Sequence, residues 1–162
     1  MNVRNIEASD CSAIAAIYNH YVANSIATFR EAALDTGEMA ALIANAKADS
    51  LPALVALLDD QVAGYAFATR WKPRAAYRFS AECTVYVNSE RVGHGIGTAL
   101  YAQLFHELRA SGVHAAIGGI ALPNDASVSL HEKFGMNKVA HFKEVGFKFG
   151  RWIDVAYWQL LF

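Results

Sequence analysis

The residues that could carry out chemistry are concentrated in one segment, Glu82–Tyr101. It begins with a short, mostly apolar stretch that predicts a strand, and three glycines follow within five residues, Gly93-His94-Gly95-Ile96-Gly97. Because glycine has no Cβ, several backbone N–H groups of such a loop can approach one anion. A helix predicted from Thr98 to Ala110 points its positive N-terminal end at the same place. The segment therefore predicts a pyrophosphate cradle.

Other proteins use loops of this kind, and an ordinary tight turn between a strand and a helix remains open on the loop alone. A P-loop needs Lys followed by Ser or Thr after its last glycine, whereas Ile96-Gly97-Thr98 has no lysine. A Rossmann loop follows the first strand, and an acidic residue ends the next strand. Here the loop follows the fourth predicted strand, and the next strand, Val113–Ile120, ends without an acid. Both nucleotide-binding alternatives therefore fail: the P-loop because no lysine stands at the required position, and the Rossmann loop because of its place in the chain.

Two ionisable side chains are candidates for acid–base catalysis. Glu82 is the single carboxylate in its predicted strand, and it is either a solvent-facing acid or a general base. Partial burial would favour the second interpretation, because it makes a carboxylate a stronger base. His131 lies on a helix predicted to begin near Asn124, where a histidine is more often packed or exposed than catalytic. The residues alone leave its role open.

The composition is that of a folded globular domain. The 162 residues are 54% apolar and 18% charged, so a single domain over residues 1–162 with its own core is expected. A net charge of −1 with no basic block argues against nucleic acid as a partner, and no apolar run is long enough to span a membrane. Two cysteines are too few for a disulfide framework, so a cytoplasmic location is the default expectation. No metal site is predicted, because ligand spacing is missing among His94, His106, His114 and Cys83.

Apolar periodicity and turn residues predict a mixed α/β fold in the order β-α-α-β-β-β-α-β-α-β-β. The predicted strands are Val3–Ile6, Ala53–Leu58, Gln61–Thr69, Glu82–Val87, Val113–Ile120, a strand beginning with Val139–Phe142, and Arg151–Leu161. The predicted helices follow Ser9-Asp10, cover Thr36–Lys47 and Thr98–Ala110, and run from the Asn124 turn to Phe134, with Gly135 closing the last one. The main predicted loops are Trp71–Arg78, rich in cations and aromatics, and Glu144–Gly150.

The chain resembles the GNAT family of acetyl-CoA-dependent N-acetyltransferases. Gly95 and Gly97 match the glycines of the family's Q/R-x-x-G-x-G/A loop, although Val92 stands at its first position, with Arg91 one residue early. A second family segment, N-x-x-A/S followed by L-Y-E-K-x-G-F, is matched by Asn124, Ala126, Ser127, Leu130, Glu132 and Gly135. His131 replaces its tyrosine, as in the phosphinothricin acetyltransferase branch. Further resemblance to that branch lies in Asn19–Tyr21, Trp71–Tyr77, Thr84–Val87, Leu122–Asp125 and Gly146–Val155, so the matches extend over residues 3–160.

The resemblance implies a single-domain fold with a mixed, twisted sheet of about seven strands and about four flanking helices. It implies acetyl-CoA as co-substrate and no metal. It also implies direct transfer in a ternary complex, with Glu82 as general base and His131 either protonating the thiolate or assisting the base. The fourth and fifth strands of this fold diverge, which frees backbone N–H groups to act like an oxyanion hole. The implied cofactor-binding residues are Val85, Tyr86, Val87, Gly93, His94, Gly95, Ile96, Gly97, Thr98, Asn124 and Ser127.

The resemblance further implies a small acceptor shaped like an amino acid, such as L-phosphinothricin, methionine sulfoximine or methionine sulfone. Its implied binding residues are Phe29, Lys72, Arg74, Tyr77 and Lys148, and cations among them suit an acceptor with a carboxylate and a second anionic or polar group. Relatives pair as homodimers, and the aromatic residues Trp152, Tyr157 and Trp158 belong either to an interface or to the core. Three alternatives stay open: another small amine as acceptor, a protein N-terminus or lysine as acceptor, and a non-catalytic acyl-CoA sensor.

Overall fold

A computed structural model describes all 162 residues, which form one seven-stranded sheet with helices on both faces. The strands are β1 (Asn2–Asn5), β2 (Ala53–Leu58), β3 (Gln61–Arg70), β4 (Ser80–Val87), β5 (Ala115–Ala121), β6 (Asn137–Lys148) and β7 (Arg151–Leu161). The helices are α1 (Cys11–Asn24), α2 (Thr36–Ala48), α3 (Ile96–Ala110) and α4 (Asp125–Lys133). The strand order is β1-β2-β3-β4-β5-β7-β6, and every neighbouring pair is antiparallel except β4 and β5. The predicted α/β class, with seven strands and four helices, is confirmed.

Both faces of the central strands are covered, as their apolar sequences indicate. Along β2, Leu54 packs into a cluster with Leu100 and Leu104 of α3. Its neighbour Val55 points to the opposite face and packs with Ile14 of α1 and Met39 of α2. This alternation is the two-residue period of a strand. It fixes α3 on one side of the sheet and α1 with α2 on the other.

Local polar groups determine how the first two helices begin. Asp35 accepts a hydrogen bond from the Glu38 N–H (2.8 Å), and the Glu38 carboxylate accepts one from the Asp35 N–H (2.9 Å), which is a capping box that begins α2. Asp10 is the N-cap residue of α1, one of the two residues predicted for that position, but its side chain makes no capping hydrogen bond to α1. The carboxylate instead accepts from the Glu7 N–H and pairs with Arg4 at 2.7 Å. A short 3₁₀ turn, Ala8–Asp10, therefore precedes α1.

The prediction of a loop at Glu144–Gly150 is wrong, because β6 continues to Lys148. The strand absorbs a bulge between Phe142 and Gly146, where Glu144 has φ +50°. The Asp154 carboxylate of β7 accepts a hydrogen bond from the Glu144 N–H (2.9 Å), which satisfies a bulge donor. The true turn is only Phe149-Gly150, and both of these residues have positive φ, as a tight two-residue hairpin requires.

None of the four helices is long and apolar enough to cross a membrane. The structure also contains no group of three or more His, Cys, Asp or Glu side chains that could hold a metal ion.

Candidate active site

Strands β4 and β5 are paired only at their beginnings. Their parallel register joins Ser80–Glu82 to Ala115–Ile117 and then stops. Beyond that point β4 pairs with β3 alone, and β5 pairs with β7 alone. The edge of β4 from Cys83 to Val87 therefore faces a gap in the sheet, which confirms the expected divergence of these strands.

The glycine loop closes one end of this gap. Gly95 has φ +75°, a left-handed conformation that suits glycine, and it is the N-cap of α3. The helix begins at Ile96, two residues before the predicted start at Thr98. The first helical hydrogen bond runs from the Ala99 N–H to the Gly95 carbonyl (3.0 Å). The N–H groups of Ile96, Gly97 and Thr98 thus lack helical partners and form the positive end of the helix dipole, which is a geometry for binding an anion.

A cavity of ≈ 810 Å³ runs along the gap from the glycine loop to Glu82. We call it the CoA cavity. It is lined by all but one of the predicted cofactor-binding residues: Val85, Tyr86, Val87, Gly93, Gly95, Ile96, Gly97, Thr98, Asn124 and Ser127. The exception is His94, which is exposed and whose ring hydrogen-bonds the Arg91 and Val92 carbonyls. Asn124 caps α4, because its side chain accepts from the Ser127 N–H (3.1 Å).

Two cations that were not among the predicted site residues, Arg91 and Lys133, also line the CoA cavity. Lys133 donates to the Thr98 hydroxyl (3.2 Å), so its charge lies at the N-terminus of α3. A cradle of free N–H groups with adjacent cations fits a diphosphate, and the remaining length of the gap fits an extended arm. These residues are thus suited to CoA.

Glu82 lies where the CoA cavity meets a second cavity and lines both. Its side chain is half-buried, opposite Thr69 of β3 and Ile117 of β5. Burial raises the pKa of Glu82, and the positive charge of Lys72 opposes this increase. The carboxylate is therefore partly desolvated but accessible from two directions, which suits a proton acceptor.

His131 is buried at the edge of the CoA cavity, with 3% of its surface exposed. Its Nδ1 lies 2.7 Å from the Ser127 carbonyl, which can only accept, so Nδ1 carries the hydrogen. Burial lowers the pKa of His131 and favours the neutral ring. Nε2 then accepts a hydrogen bond from the Tyr101 hydroxyl (3.0 Å). The ring fits over Gly118 of β5, where a Cβ would collide with it.

The second cavity, of ≈ 430 Å³, lies on the other side of Glu82, and we call it the acceptor cavity. Eight of its ten lining residues are hydrophobic. They come from the segment between α1 and α2 and from the last three strands of the sheet. The full lining is Ile26, Ala27, Phe29, Glu82, Gly119, Ala121, Phe142, Val145, Val155 and Tyr157.

Of the residues predicted to bind the acceptor, Phe29 lines this cavity and the others do not. Lys72, Arg74 and Tyr77 lie on the exposed Trp71–Arg78 segment. That segment borders the cavity through Trp71, whose ring contacts Tyr157 edge-on at 5.4 Å. Lys148 is buried, and its ammonium donates to backbone carbonyls instead of pointing into the cavity.

Sequence reasoning missed most of the apolar wall of the acceptor cavity. Phe142, Val145, Val155 and Tyr157 meet there only because β6 and β7 form an irregular hairpin with a bulge. Arg91 and Lys133 could have been found, since each lies within a motif that the sequence analysis used.

The fold, with its glycine loop before α3 and the gap between β4 and β5, is that of a CoA-dependent acyltransferase. The chain matches the Acetyltransferase (GNAT) domain family over residues 3–157. It therefore belongs to the GNAT family of acetyltransferases, for which acetyl-CoA is the co-substrate.

Similar proteins extend this result over the whole chain. The L-methionine sulfoximine/L-methionine sulfone acetyltransferase of Salmonella typhimurium is 35% identical, over 99% of this chain and 94% of the relative. A phosphinothricin acetyltransferase from Sinorhizobium meliloti, solved with acetyl-CoA, is 35% identical with TM-score 0.96, over 99% of this chain and 87% of that one. A ribosomal-protein-alanine N-acetyltransferase from Brucella melitensis is 38% identical with TM-score 0.97, over 100% of both chains.

Proposed function

We propose that this protein transfers the acetyl group of acetyl-CoA to the amino group of a small amino-acid-like acceptor, such as L-methionine sulfoximine, L-methionine sulfone or L-phosphinothricin. The observation that carries the proposal is the position of Glu82, whose carboxylate faces the CoA cavity and the acceptor cavity at once. The names of the Salmonella and Sinorhizobium relatives support the acceptor class.

Glu82 acts as the general base in this proposal. An amine at neutral pH is an ammonium ion and must lose a proton before it can attack. Because burial raises the pKa of Glu82, its carboxylate is a stronger base than an exposed glutamate. Acetyl-CoA supplies an activated acetyl carbonyl and a thiolate leaving group. The unpaired edge of β4 offers N–H groups that can stabilise the carbonyl oxygen as it gains negative charge.

His131 has a supporting role in this mechanism. Neutral His131 keeps its proton on Nδ1, where it is bound to Ser127, and its Nε2 accepts from Tyr101. Nε2 therefore has no proton to give to the thiolate. In our proposal the thiolate takes up the second proton, which leaves the nitrogen as the amide forms. His131 orients the hydroxyl of Tyr101, which lines the CoA cavity.

The acceptor cavity suits the aliphatic part of an amino-acid side chain, because apolar groups dominate its wall. Lys72 is close enough to Glu82 to influence its pKa, so an acceptor carboxylate at the rim would meet that cation. Arg74 belongs to the same exposed segment and adds positive charge there. We therefore propose that the acceptor's carboxylate faces the Trp71–Arg78 segment and that the methylene groups of its side chain lie against the apolar wall of the cavity.

A second acceptor class is favoured by one comparison. The Brucella relative is named as an acetyltransferase for an alanine of a ribosomal protein, and it matches the full chain. A protein N-terminus beginning with alanine is therefore the competing candidate. It would have to enter the same apolar cavity with a peptide trailing outward.

We also propose a homodimer of a single-domain chain in the cytoplasm. Six large apolar side chains on the β6–β7 hairpin are between 51% and 63% exposed: Val139, Phe142, Val145, Phe147, Phe149 and Trp152. A patch of this kind favours association, and a second copy would cover the open side of the acceptor cavity at Phe142 and Val145. Sedimentation of wild type and of Phe147→Glu tests the dimer; a monomeric wild type rejects it.

Both cysteines are free and buried, which fits a reducing compartment and therefore the proposed cytoplasmic location.

The function is tested by CoA release from acetyl-CoA in the presence of single amines. The panel contains L-methionine sulfoximine, L-methionine sulfone, L-phosphinothricin, ordinary L-amino acids, a polyamine and a peptide with N-terminal alanine. Turnover confined to the free amino-acid analogues is the expected result. Turnover on the peptide alone would instead support the second class. Protection against heat by acetyl-CoA serves as the control that the protein is folded and binds the donor.

A further inference from the structure

Lys148, near the end of β6, has an environment that is unusual for a lysine. Its surface is 2% exposed, although β6 is a mostly exposed strand. Its ammonium donates to the carbonyls of Ser25 (2.7 Å) and Thr28 (2.8 Å) and lies 3.5 Å from that of Tyr21. Burial lowers the pKa of Lys148, and the charge of Glu31 opposes this. Burial of a cation destabilises the fold unless the cation's hydrogen bonds are satisfied, and here backbone oxygens accept them.

The carbonyls that Lys148 holds belong to one short segment, which we call the Ser25–Thr28 loop. It follows α1, and Lys148 also approaches the final turn of that helix, where carbonyls carry partial negative charge. Two tyrosines hold the same loop from other directions. Tyr86 of β4 donates to the Ala27 carbonyl (3.0 Å), and the Tyr18 hydroxyl bonds the Thr28 hydroxyl (2.7 Å).

The Ser25–Thr28 loop is a wall shared by both cavities. Its four residues line the CoA cavity, and Ile26 and Ala27 also line the acceptor cavity. The next residue, Phe29, lines the acceptor cavity and packs against Gly146 of β6, where a Cβ would collide with its ring. Gly146 and Lys148 lie on the same face of β6, two residues apart. One stretch of β6 thus seats the aromatic side chain and fixes the backbone beside it.

We propose that Lys148 is a positioning residue for the acceptor: its buried ammonium fixes the Ser25–Thr28 loop and Phe29 at the distance from β6 that the acceptor cavity requires. The inference rests on the proposed function, because it concerns the acceptor of that reaction. Lys148 lines neither cavity, so it acts through the loop and not by contact with a substrate. The acceptor cavity takes three of its ten lining residues from Ile26, Ala27 and Phe29, whereas the CoA cavity takes only four of 29 from the loop. Displacement of the loop should therefore affect the acceptor far more than acetyl-CoA.

Lys148→Met keeps the length and the apolar stem but removes the three donors. The expected result is an increase of about tenfold or more in the acceptor KM, with the KM for acetyl-CoA within about twofold of wild type. Lys148→Arg keeps the charge but replaces the compact ammonium by a planar fork, so it should recover only part of the loss. Lys143→Met, which removes an exposed lysine from the β6 bulge, is the matched control and should behave like wild type.

Hydrogen exchange gives a readout that does not depend on any acceptor. Lys148→Met should accelerate exchange of amides 25–30 more than exchange in the sheet. A merely structural lysine would instead lower the melting temperature and the active fraction while leaving the acceptor KM unchanged, and that result overturns the proposal. Unchanged exchange in the loop overturns it as well.

Two further features keep the test decisive. Should Lys148→Met not fold, Lys148→Arg and Tyr18→Phe, which removes a second hold on Thr28, are each expected to raise the acceptor KM by a smaller factor. Unchanged acceptor KM values in both variants reject the proposal. Failure of the proposed function is recognised separately, since wild type then turns over none of the amino acids; loop exchange alone then decides the role of Lys148.

Discussion

The CoA cavity and the acceptor cavity are built in different ways from the same chain. The CoA cavity takes 14 of its 29 lining residues from the continuous stretch 82–101, in which the glycine loop and the start of α3 offer backbone N–H groups. The acceptor cavity uses mainly side chains, which come from the α1–α2 segment and from β5, β6 and β7. Residues as distant in sequence as Phe29 and Tyr157 meet in it.

This difference has a functional consequence. Backbone N–H groups recognise a diphosphate whatever side chains surround them, so a donor site of this kind tolerates substitution. A wall of apolar side chains instead changes its shape with every substitution, so it can change acceptors while the donor stays the same. Glu82 belongs to both cavities and should be needed for every acceptor.

The largest effect is expected from Glu82→Gln. The amide keeps the shape of the side chain but cannot take a proton, so kcat should fall by about 10²- to 10⁴-fold. The Kd for acetyl-CoA should stay near that of wild type, because the diphosphate end of the cavity is untouched. Stopped-time assays and calorimetric titration measure the two quantities. A variant with normal kcat would remove Glu82 as the base, and no turnover by wild type on any amine would favour the sensor alternative.

Gly146→Ala should act on the acceptor cavity alone. The added methyl group collides with the ring of Phe29, which must move into the cavity. We expect the acceptor KM to rise by about tenfold, since overpacking of this kind costs about 1–3 kcal/mol. Steady-state kinetics with each substrate varied in turn measures this. A second variant, Gly146→Ala with Phe29→Leu, provides the control, because the smaller side chain makes room for the methyl group and should restore part of the affinity.

The glycine loop and Lys148 show what the sequence could and could not predict. The glycine loop and the strand before it were predictable, because their function depends on local backbone geometry that glycine spacing reveals. Lys148 was predicted to bind the acceptor, since a lysine among aromatic residues resembles a binding cation. Its actual partners, the Ser25 and Thr28 carbonyls, lie 123 and 120 residues away, and only the folded hairpin brings them together.

Lys133→Met should act on the CoA cavity alone and more weakly. The Lys133 ammonium lies 3.2 Å from the Thr98 hydroxyl at the start of α3, but it is exposed, so solvent screens its charge. We expect the KM for acetyl-CoA to rise by about three- to fivefold, with the difference shrinking at high salt. The acceptor KM should not change. An increase in the acceptor KM instead would contradict the separation of the two cavities.

The smallest effect concerns pH and involves Lys72. Burial raises the pKa of Glu82 and Lys72 lowers it, so removing this cation should raise that pKa further. The base is active when it is deprotonated, and kcat/KM therefore falls as pH decreases through this pKa. Lys72→Met should move the acid limb of the kcat/KM profile to higher pH, whereas Lys72→Arg should leave it in place. High salt should shift the wild-type limb toward that of Lys72→Met; a limb that moves to lower pH would contradict the assignment.

We propose that both substrates are bound together when Glu82 takes the proton, so that the acetyl group passes directly between them. Cys83, the thiol nearest to Glu82 in the chain, is buried and burial raises its pKa to about 12, so it is a poor acetyl carrier. Initial rates measured over a grid of acetyl-CoA and acceptor concentrations test this most directly. Double-reciprocal lines that intersect are the predicted result. Parallel lines, accompanied by an acetylated protein in the absence of acceptor, would contradict the account.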